Sequence, residues 1–133
     1  MDFTNTIGVS ADGMRAQAER LRVSAENLAN KDTTGSTPGA DPYRRKTITF
    51  QTTLDQATGA SSVKVKSIGQ DHTPFETRYD PSHPAADTTG YVKVPNVTTT
   101  VEIMDTHDPQ PSYEANLNTM QILRSLLTRP INL

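Results

Sequence analysis

A seven-residue repeat in the first 30 positions is the feature that most constrains the fold of this chain. Large apolar side chains recur at this interval, and alanines follow four residues after the first three of them: Ile7, Met14, Leu21 and Leu28, with Ala11, Ala18 and Ala25. Such spacing is the a/d pattern of helices that pack side by side. It predicts one helix over residues 5–29 with an apolar stripe along its length.

The C-terminal part of the chain carries a second apolar stripe. Its large side chains follow helical spacing, and two further residues widen the stripe: Tyr113, Leu117, Met120, Leu123 and Leu127, widened by Ile122 and Leu126. Pro130 ends this helix, because proline has no N–H to donate and its ring clashes with the preceding turn. The two terminal helices are expected to pair as a coiled-coil-like hairpin.

The residues between these helices have the composition of short strands. Alternating runs rich in Thr, Val and aromatic residues are bounded by Gly, Pro and Asp: KTITF (46–50), VKVKSI (63–68), FETRY (75–79) and YVKV (91–94). The expected fold class is therefore α+β, with long N- and C-terminal helices and a small β-rich module inserted between them.

Three segments follow from these patterns. Residues 1–30 form the N-terminal helix, residues 31–96 the loop and β-rich module, and residues 97–133 the C-terminal helical part. The stretch VTTTVEIMDTHD, which opens the third segment, fits both a strand and one helical face, and local propensity favours the strand. Pro109 and Pro111 make a break in the C-terminal helix near residues 109–111 possible, and the sequence does not decide whether it occurs.

Apolar side chains are too few for a large core. They make up 33% of the 133 residues, against about 45–50% (a count that includes Gly) in globular domains. Both stripes are longer than the middle module can cover, so other subunits or proteins are expected to complete their burial. The expected assembly interface consists of Ile7, Met14, Leu21, Leu28, Leu117, Met120, Leu123 and Leu127.

Charge and cysteine content exclude several classes of function. A net charge of −2, from 13 basic and 15 acidic residues, gives no sign of the clustered basic face that binds nucleic acid. The absence of cysteine excludes disulfides and thiolate chemistry. No apolar run has the length of a membrane span or a signal peptide, so neither is expected.

Three histidines raise the question of a metal site. His72, His83 and His107 each lie beside Asp or Pro, but no pair has the spacing of a helical or structural zinc site. Neither a nucleophile elbow nor a phosphate-binding glycine loop is present. The sequence therefore predicts no catalytic residue, no metal and no cofactor. The alternative is a small secreted module that binds a ligand or metal through its loop His and Asp residues.

The stretch SAENLANKDTTG, residues 24–35, ends the first helix. Asn30 is expected to adopt the left-handed conformation that closes many helices. Asn27 lies inside the last turn beside the apolar stripe, where a polar amide faces water or fixes the register of an interface. We therefore expect the two amides to fix how helices meet.

This stretch is similar to the N-terminal signature of the bacterial flagellar axial proteins, which form the rod, the hook and the hook-associated parts. The stretches DPYRRKTITF, DPSHPAADTTGYVKVPNV and SYEANLNTMQILRSLL resemble rod members of that family in order and spacing, over nearly the whole chain. The signature positions that the resemblance implies are Asn27, Leu28, Asn30, Gly35, Tyr113, Glu114, Ala115 and Asn116.

The resemblance implies a structural subunit of the proximal rod, not an enzyme. Family members pack their terminal helices beside neighbouring subunits to form the inner wall of a tubular filament, with the inserted module facing outward. The rod transmits torque and surrounds the export channel. The family also favours a helix over residues 97–107.

Implied partners are copies of the chain itself, other flagellar rod proteins and the flagellar type III export apparatus, which exports such proteins without signal cleavage. The implied location is the periplasm-spanning rod of the basal body. Contact with peptidoglycan is left open.

Overall fold

The computed structural model describes residues 3–107 and 109–128. Helices and strands follow along this part of the chain in the order α1 (Phe3–Ala29), β1 (Lys46–Leu54), β2 (Ser61–Gln70), β3 (Glu76–Tyr79), β4 (Tyr91–Val94), α2 (Thr99–His107) and α3 (Pro109–Thr128). None of these helices combines the length and apolar character that crossing a membrane requires.

Helix α1 forms where the seven-residue repeat predicts it, and Asn30 closes its last turn. Both the backbone N–H (3.1 Å) and the side-chain Nδ2 (2.8 Å) of Asn30 donate to the carbonyl oxygen of Glu26. Among the described residues, no non-glycine residue has a positive φ, so the left-handed conformation predicted for Asn30 is wrong. The end of the helix tightens instead, because the N–H groups of Asn30 and Lys31 donate to the carbonyls of Asn27 (3.2 Å) and Leu28 (3.4 Å). These bonds satisfy end-of-helix carbonyls, which is the task that a left-handed cap otherwise performs.

All four predicted strands form, and they pair as two separate antiparallel hairpins. The first residue of β1 lies opposite Gln70 and its last opposite Ser61, with a register shift between Thr49 and Phe50. The connection turns at Gly59, whose φ of 70° favours glycine. Because a two-stranded hairpin is only marginally stable alone, the β1–β2 hairpin depends on α1, which packs against both of its strands.

The ambiguous segment after β4 is helical from Thr99 onward, as the family resemblance favours and local propensity does not. Helix α2 directs Glu102 and Asp105 toward Arg45, while Met104 stays exposed. These tertiary contacts override the strand preference of the Val and Thr residues. Helix α3 begins at Pro109, in the first turn, where the missing N–H costs no helical hydrogen bond.

The buried apolar residues in the described part of the chain are few and small: Ala16, Val23, Ala60, Ala85 and Val92. The largest fully buried side chains are those of Glu102, Val92 and Asn27, two of which are polar. Helix α1 is the central element, since it packs against α2, α3, β1 and β2. The mixed α+β class is confirmed, whereas the coiled-coil geometry of the terminal pair stays a prediction.

The fully buried face of helix α1 is not the face that carries the seven-residue repeat. Val23 and Asn27 lie beside β1 and α2 and are buried. The large residues of the repeat lie nearly on the opposite side of the helix, at about 100° per residue, and are only half-buried: Ile7, Met14, Leu21 and Leu28. The helix thus has two faces with apolar side chains, and the subunit alone fully buries one of them.

The signature residue Gly35 lies in a loop after α1 that folds closely back on itself. A Cβ added at Gly35 would lie 2.5 Å from the Cβ of Ala40. Hydrogen bonds hold the loop in place, from the N–H of Ala40 to the carbonyl of Thr37 (3.0 Å) and from the N–H of Tyr43 to that of Thr33 (2.9 Å). Glycine at this position permits the close approach.

We predict that Gly35→Ala lowers the free energy of unfolding by about 1–3 kcal/mol, the usual cost of forcing an extra methyl group into a packed site. Gly8→Ala is the matched control, because nothing lies within 4 Å of the Cβ it would add in α1. It should stabilise the helix by up to about 1 kcal/mol. Urea denaturation measures both, and equal effects of the two variants would contradict the close approach at Gly35.

Candidate assembly surface and polar junction

A groove lies where the first turns of α1 meet α3. Its volume is about 300 Å³, and it is lined by Ile7, Leu117, Met120, Gln121, Arg124 and Leu127. The structure thereby brings a predicted interface residue from one end of the chain, Ile7, together with predicted interface residues from the other end. Leu127 is still 56% exposed, so the subunit alone leaves this groove open.

The opposite face of α3 is apolar as well. Ile122 and Leu126 lie about 160° around the helix axis from the side chains that line the groove. Their side chains are 62% and 48% exposed. A helix with apolar residues on opposite faces is typical of an element that is buried from more than one side. Within the described part of the chain, α3 is covered by another helix on the groove side only.

The other residues of the predicted interface are half-buried: Met14, Leu21, Leu28 and Leu123. Four of the signature residues belong to α3, in a stretch whose side chains lie outside what the structure describes: Tyr113, Glu114, Ala115 and Asn116. Their roles stay predictions.

The side chain of Asn27 is fully buried. Its amide hydrogen-bonds the main chain at the start of β1, as the backbone of a neighbouring strand would. Its Nδ2 donates to the carbonyl oxygen of Lys46 (2.9 Å), and its Oδ1 accepts from the N–H of the same residue (2.8 Å). The hydroxyl of Tyr43 donates to Oδ1 (2.8 Å), and Oε2 of Glu102 accepts from Nδ2 (3.3 Å). All four hydrogen-bonding positions of this amide are therefore occupied.

Glu102 projects from α2 into the same site and is fully buried. Its Oε1 accepts a hydrogen bond from Nε of Arg45, whose guanidinium also lies 3.3 Å from Asp105 and 3.5 Å from Asp71. Burial by itself lowers the pKa of Arg45, but the hydrogen bond to Glu102 and the three carboxylates outweigh burial and raise that pKa. The guanidinium therefore stays charged and compensates the buried carboxylate.

Further contacts extend this arrangement into the inserted module. The backbone N–H of Arg45 donates to Oδ1 of Asn96 (2.8 Å), and Nδ2 of Asn96 donates to the carbonyl oxygens of Asp71 (2.9 Å) and Thr73 (3.1 Å). We use the name polar junction for the connected group Asn27, Tyr43, Arg45, Lys46 and Glu102.

The sequence marks Asn27 but not its partners. The available signal is a single acidic residue within the apolar run VEIM, because a carboxylate on an apolar face requires a cation when it is buried. That cation, Arg45, lies 57 positions earlier than Glu102. No local pattern pairs residues so far apart.

The three histidines do not assemble into a site. His72 and His107 are exposed. Nδ1 of His83 accepts from the N–H of Ala85 (3.0 Å), so Nε2 carries the proton and donates to Oγ1 of Thr34 (3.1 Å). In residues 3–107 and 109–128, no group of three His, Asp or Glu side chains is placed to hold a metal ion. No observation therefore supports the ligand- or metal-binding alternative.

Two carboxylates near the junction are held in their charged form. A hydrogen bond from Lys46 lowers the pKa of Glu26, and hydrogen bonds from the hydroxyl and N–H of Thr73 lower the pKa of Asp71. Each pKa is thus lower in the folded chain than in the unfolded chain. The resulting stabilisation is complete above the unfolded pKa and is lost as pH falls through the folded pKa.

We predict that Thr73→Ala makes the stability of the subunit less dependent on acid pH. The substitution removes a hydroxyl that donates to Oδ1 of Asp71 at 2.6 Å, so the pKa of Asp71 moves toward its ordinary value. Stability should be lower at pH 7 and should fall less steeply below ~pH 5. Urea denaturation over a pH series measures this, with Thr88→Ala at an exposed loop threonine as the control. Parallel pH profiles for the two variants would rule the effect out.

Curated relatives align with nearly the whole chain. The flagellar basal-body rod protein FlgC of Agrobacterium fabrum is 47% identical over 125 residues, which cover 94% of this chain and 90% of the relative. The proteins of the same name from Salmonella typhimurium and Bacillus subtilis are 34% and 33% identical, over 100% of this chain and 98% and 99% of their own lengths. No family model matches the chain.

Proposed function

The chain belongs to the FlgC family of flagellar basal-body rod proteins, and from this membership we propose that it polymerises through its terminal helices into the proximal part of the rod. It is a structural subunit of the basal-body rod and not an enzyme. Its place within the rod and the surfaces by which it assembles are the proposed part.

The observation that carries this proposal is the apolar surface that α1 and α3 leave uncovered. The groove beside Ile7 is open, and the opposite face of α3 exposes Ile122 and Leu126. Large exposed apolar patches on soluble proteins commonly mark protein–protein interaction sites. Among the described helices and strands, α3 packs only against α1 and α2, so neighbouring subunits are the natural source of cover for its outward face.

In the proposed wall, α1 and α3 pair as a coiled-coil-like hairpin, and neighbouring copies and other rod proteins pack against that pair. The β hairpins face outward, and the tube surrounds the export channel. Torque passes along the rod through many lateral contacts that act together. The subunit reaches this periplasm-spanning position through the flagellar type III apparatus.

We predict that replacing Ile122 and Leu126 together by Asp blocks incorporation into the rod while the subunit stays folded. Both side chains are already exposed in the subunit, so charge there costs little before assembly. In an interface the same charges would be buried without partners, at a cost of several kcal/mol each. Complementation of a strain that lacks its own copy, followed by isolation of basal bodies, measures incorporation.

The matched control is Leu54→Asp in β1, a residue that is 59% exposed and lies outside the terminal helices. It adds charge at a comparably exposed apolar position and should leave incorporation intact. Normal rods from the α3 variant, or a loss of rods with the β1 variant alone, would contradict assembly through the terminal helices.

A further inference from the structure

We propose that the polar junction is a positioning centre, which sets the direction in which the C-terminal helices leave α1. This role differs from simple stabilisation. It assigns to the signature residue Asn27 a task within the subunit, at the contact between α1, β1 and α2.

The composition of the core is the first support. Apolar burial is favourable but has no direction, and in most domains large interlocking side chains supply the orientation. Here the buried apolar residues of the described chain are no larger than valine, whereas Glu102 and Asn27 are among the largest fully buried side chains. Hydrogen bonds depend on angle as well as distance, so the orienting contacts of this subunit are polar.

The second support is the convergence of three segments on two adjacent residues. Lys46 is joined to Asn27 of α1 by two hydrogen bonds, since its N–H donates to Oδ1 and its carbonyl oxygen accepts from Nδ2. Arg45 binds Glu102 of α2 through its side chain and Asn96 through its backbone N–H. The start of β1 is thus held to α1, to α2 and to the segment before α2 at one place.

The third support is that the Asn27 amide, which lies within the junction, has no spare hydrogen-bonding capacity. Asn27→Asp preserves the shape of the side chain but removes Nδ2, which leaves the carbonyl of Lys46 without this donor and sets a carboxylate against Glu102. Glu102→Gln likewise preserves shape while removing the charge that faces Arg45. Either change alters directional contacts without opening a cavity.

If a change in the direction of α2 tilts α3 against the face of α1 on which it packs, the displacement grows along α3. Helix α3 has 20 residues and is therefore about 30 Å long. A tilt of about 10° at its start displaces its far end by about 5 Å, enough to move the groove and the outward face out of register. This consequence for assembly rests on the proposed function, whereas the positioning itself concerns the free subunit.

The experiment measures a distance within the full-length free subunit. The chain contains no cysteine, so spin labels attach only to introduced ones, at exposed Ala18 on α1 and exposed His107 at the end of α2. Double electron–electron resonance gives the distance distribution. We expect Asn27→Asp and Glu102→Gln to shift or widen it by several ångströms while a single cooperative unfolding transition remains.

Glu19→Gln is the matched control, since it also removes a carboxylate that accepts from a guanidinium, that of Arg22, but on the solvent side of α1. It should leave the distribution unchanged. Unchanged distributions in both junction variants, with only a lower melting temperature, would overturn the positioning role. Because the free subunit is measured, this result is independent of whether the chain assembles into a rod.

Milder variants decide the matter if the first two fail to fold. Tyr43→Phe removes only the hydroxyl that donates to Asn27, and Asp105→Asn removes one of the outer charges beside Arg45. Both should widen the distribution to a smaller extent. Parent-like distributions in both would equally overturn the proposal.

Discussion

The two hydrogen bonds between the side-chain amide of Asn27 and the main chain of Lys46 join the helical part of this subunit to its inserted module. A helix uses its own main-chain groups internally and cannot pair with a strand, so it needs a side chain to offer a donor and an acceptor side by side. The donor and acceptor of the asparagine amide are spaced like the N–H and C=O groups with which one strand residue pairs. The start of β1, the burial of Glu102 and the course of α2 all depend on this contact.

A polar centre of this kind has a cost that the rest of the structure must offset. A buried carboxylate is tolerated only when cations and donors surround it, and Arg45, with Asp71 and Asp105 at its periphery, meets that condition. In return, the contact is directional. The small apolar core limits what the subunit stabilises by itself, while large apolar side chains remain exposed on α3. Orientation is therefore provided within the subunit, and in the proposed rod the exposed apolar side chains of α3 are covered by assembly.

Local patterns were sufficient for most of the secondary structure. Helix α1 and all four strands lie where periodicity and turn residues predict them, because those signals act between near neighbours in sequence. Residues 99–107 show the limit: their Val and Thr content favours a strand, but contacts of Glu102 with Asn27 of α1 and with Arg45, just before β1, hold a helix. The left-handed cap predicted at Asn30 was wrong because the main-chain N–H groups of Asn30 and Lys31 satisfy the last carbonyls of the helix in a tighter turn.

The sequence by itself determined the two apolar stripes, the order of the elements and the resemblance that identifies the family. Only the tertiary structure decided which face of α1 is fully buried, and that Asn27 serves the interior of the subunit. Its partners Lys46 and Glu102 lie 19 and 75 positions away. A side chain's own neighbours in sequence specify its local conformation, but the hydrogen bonds that bury it are made by residues that only folding brings near.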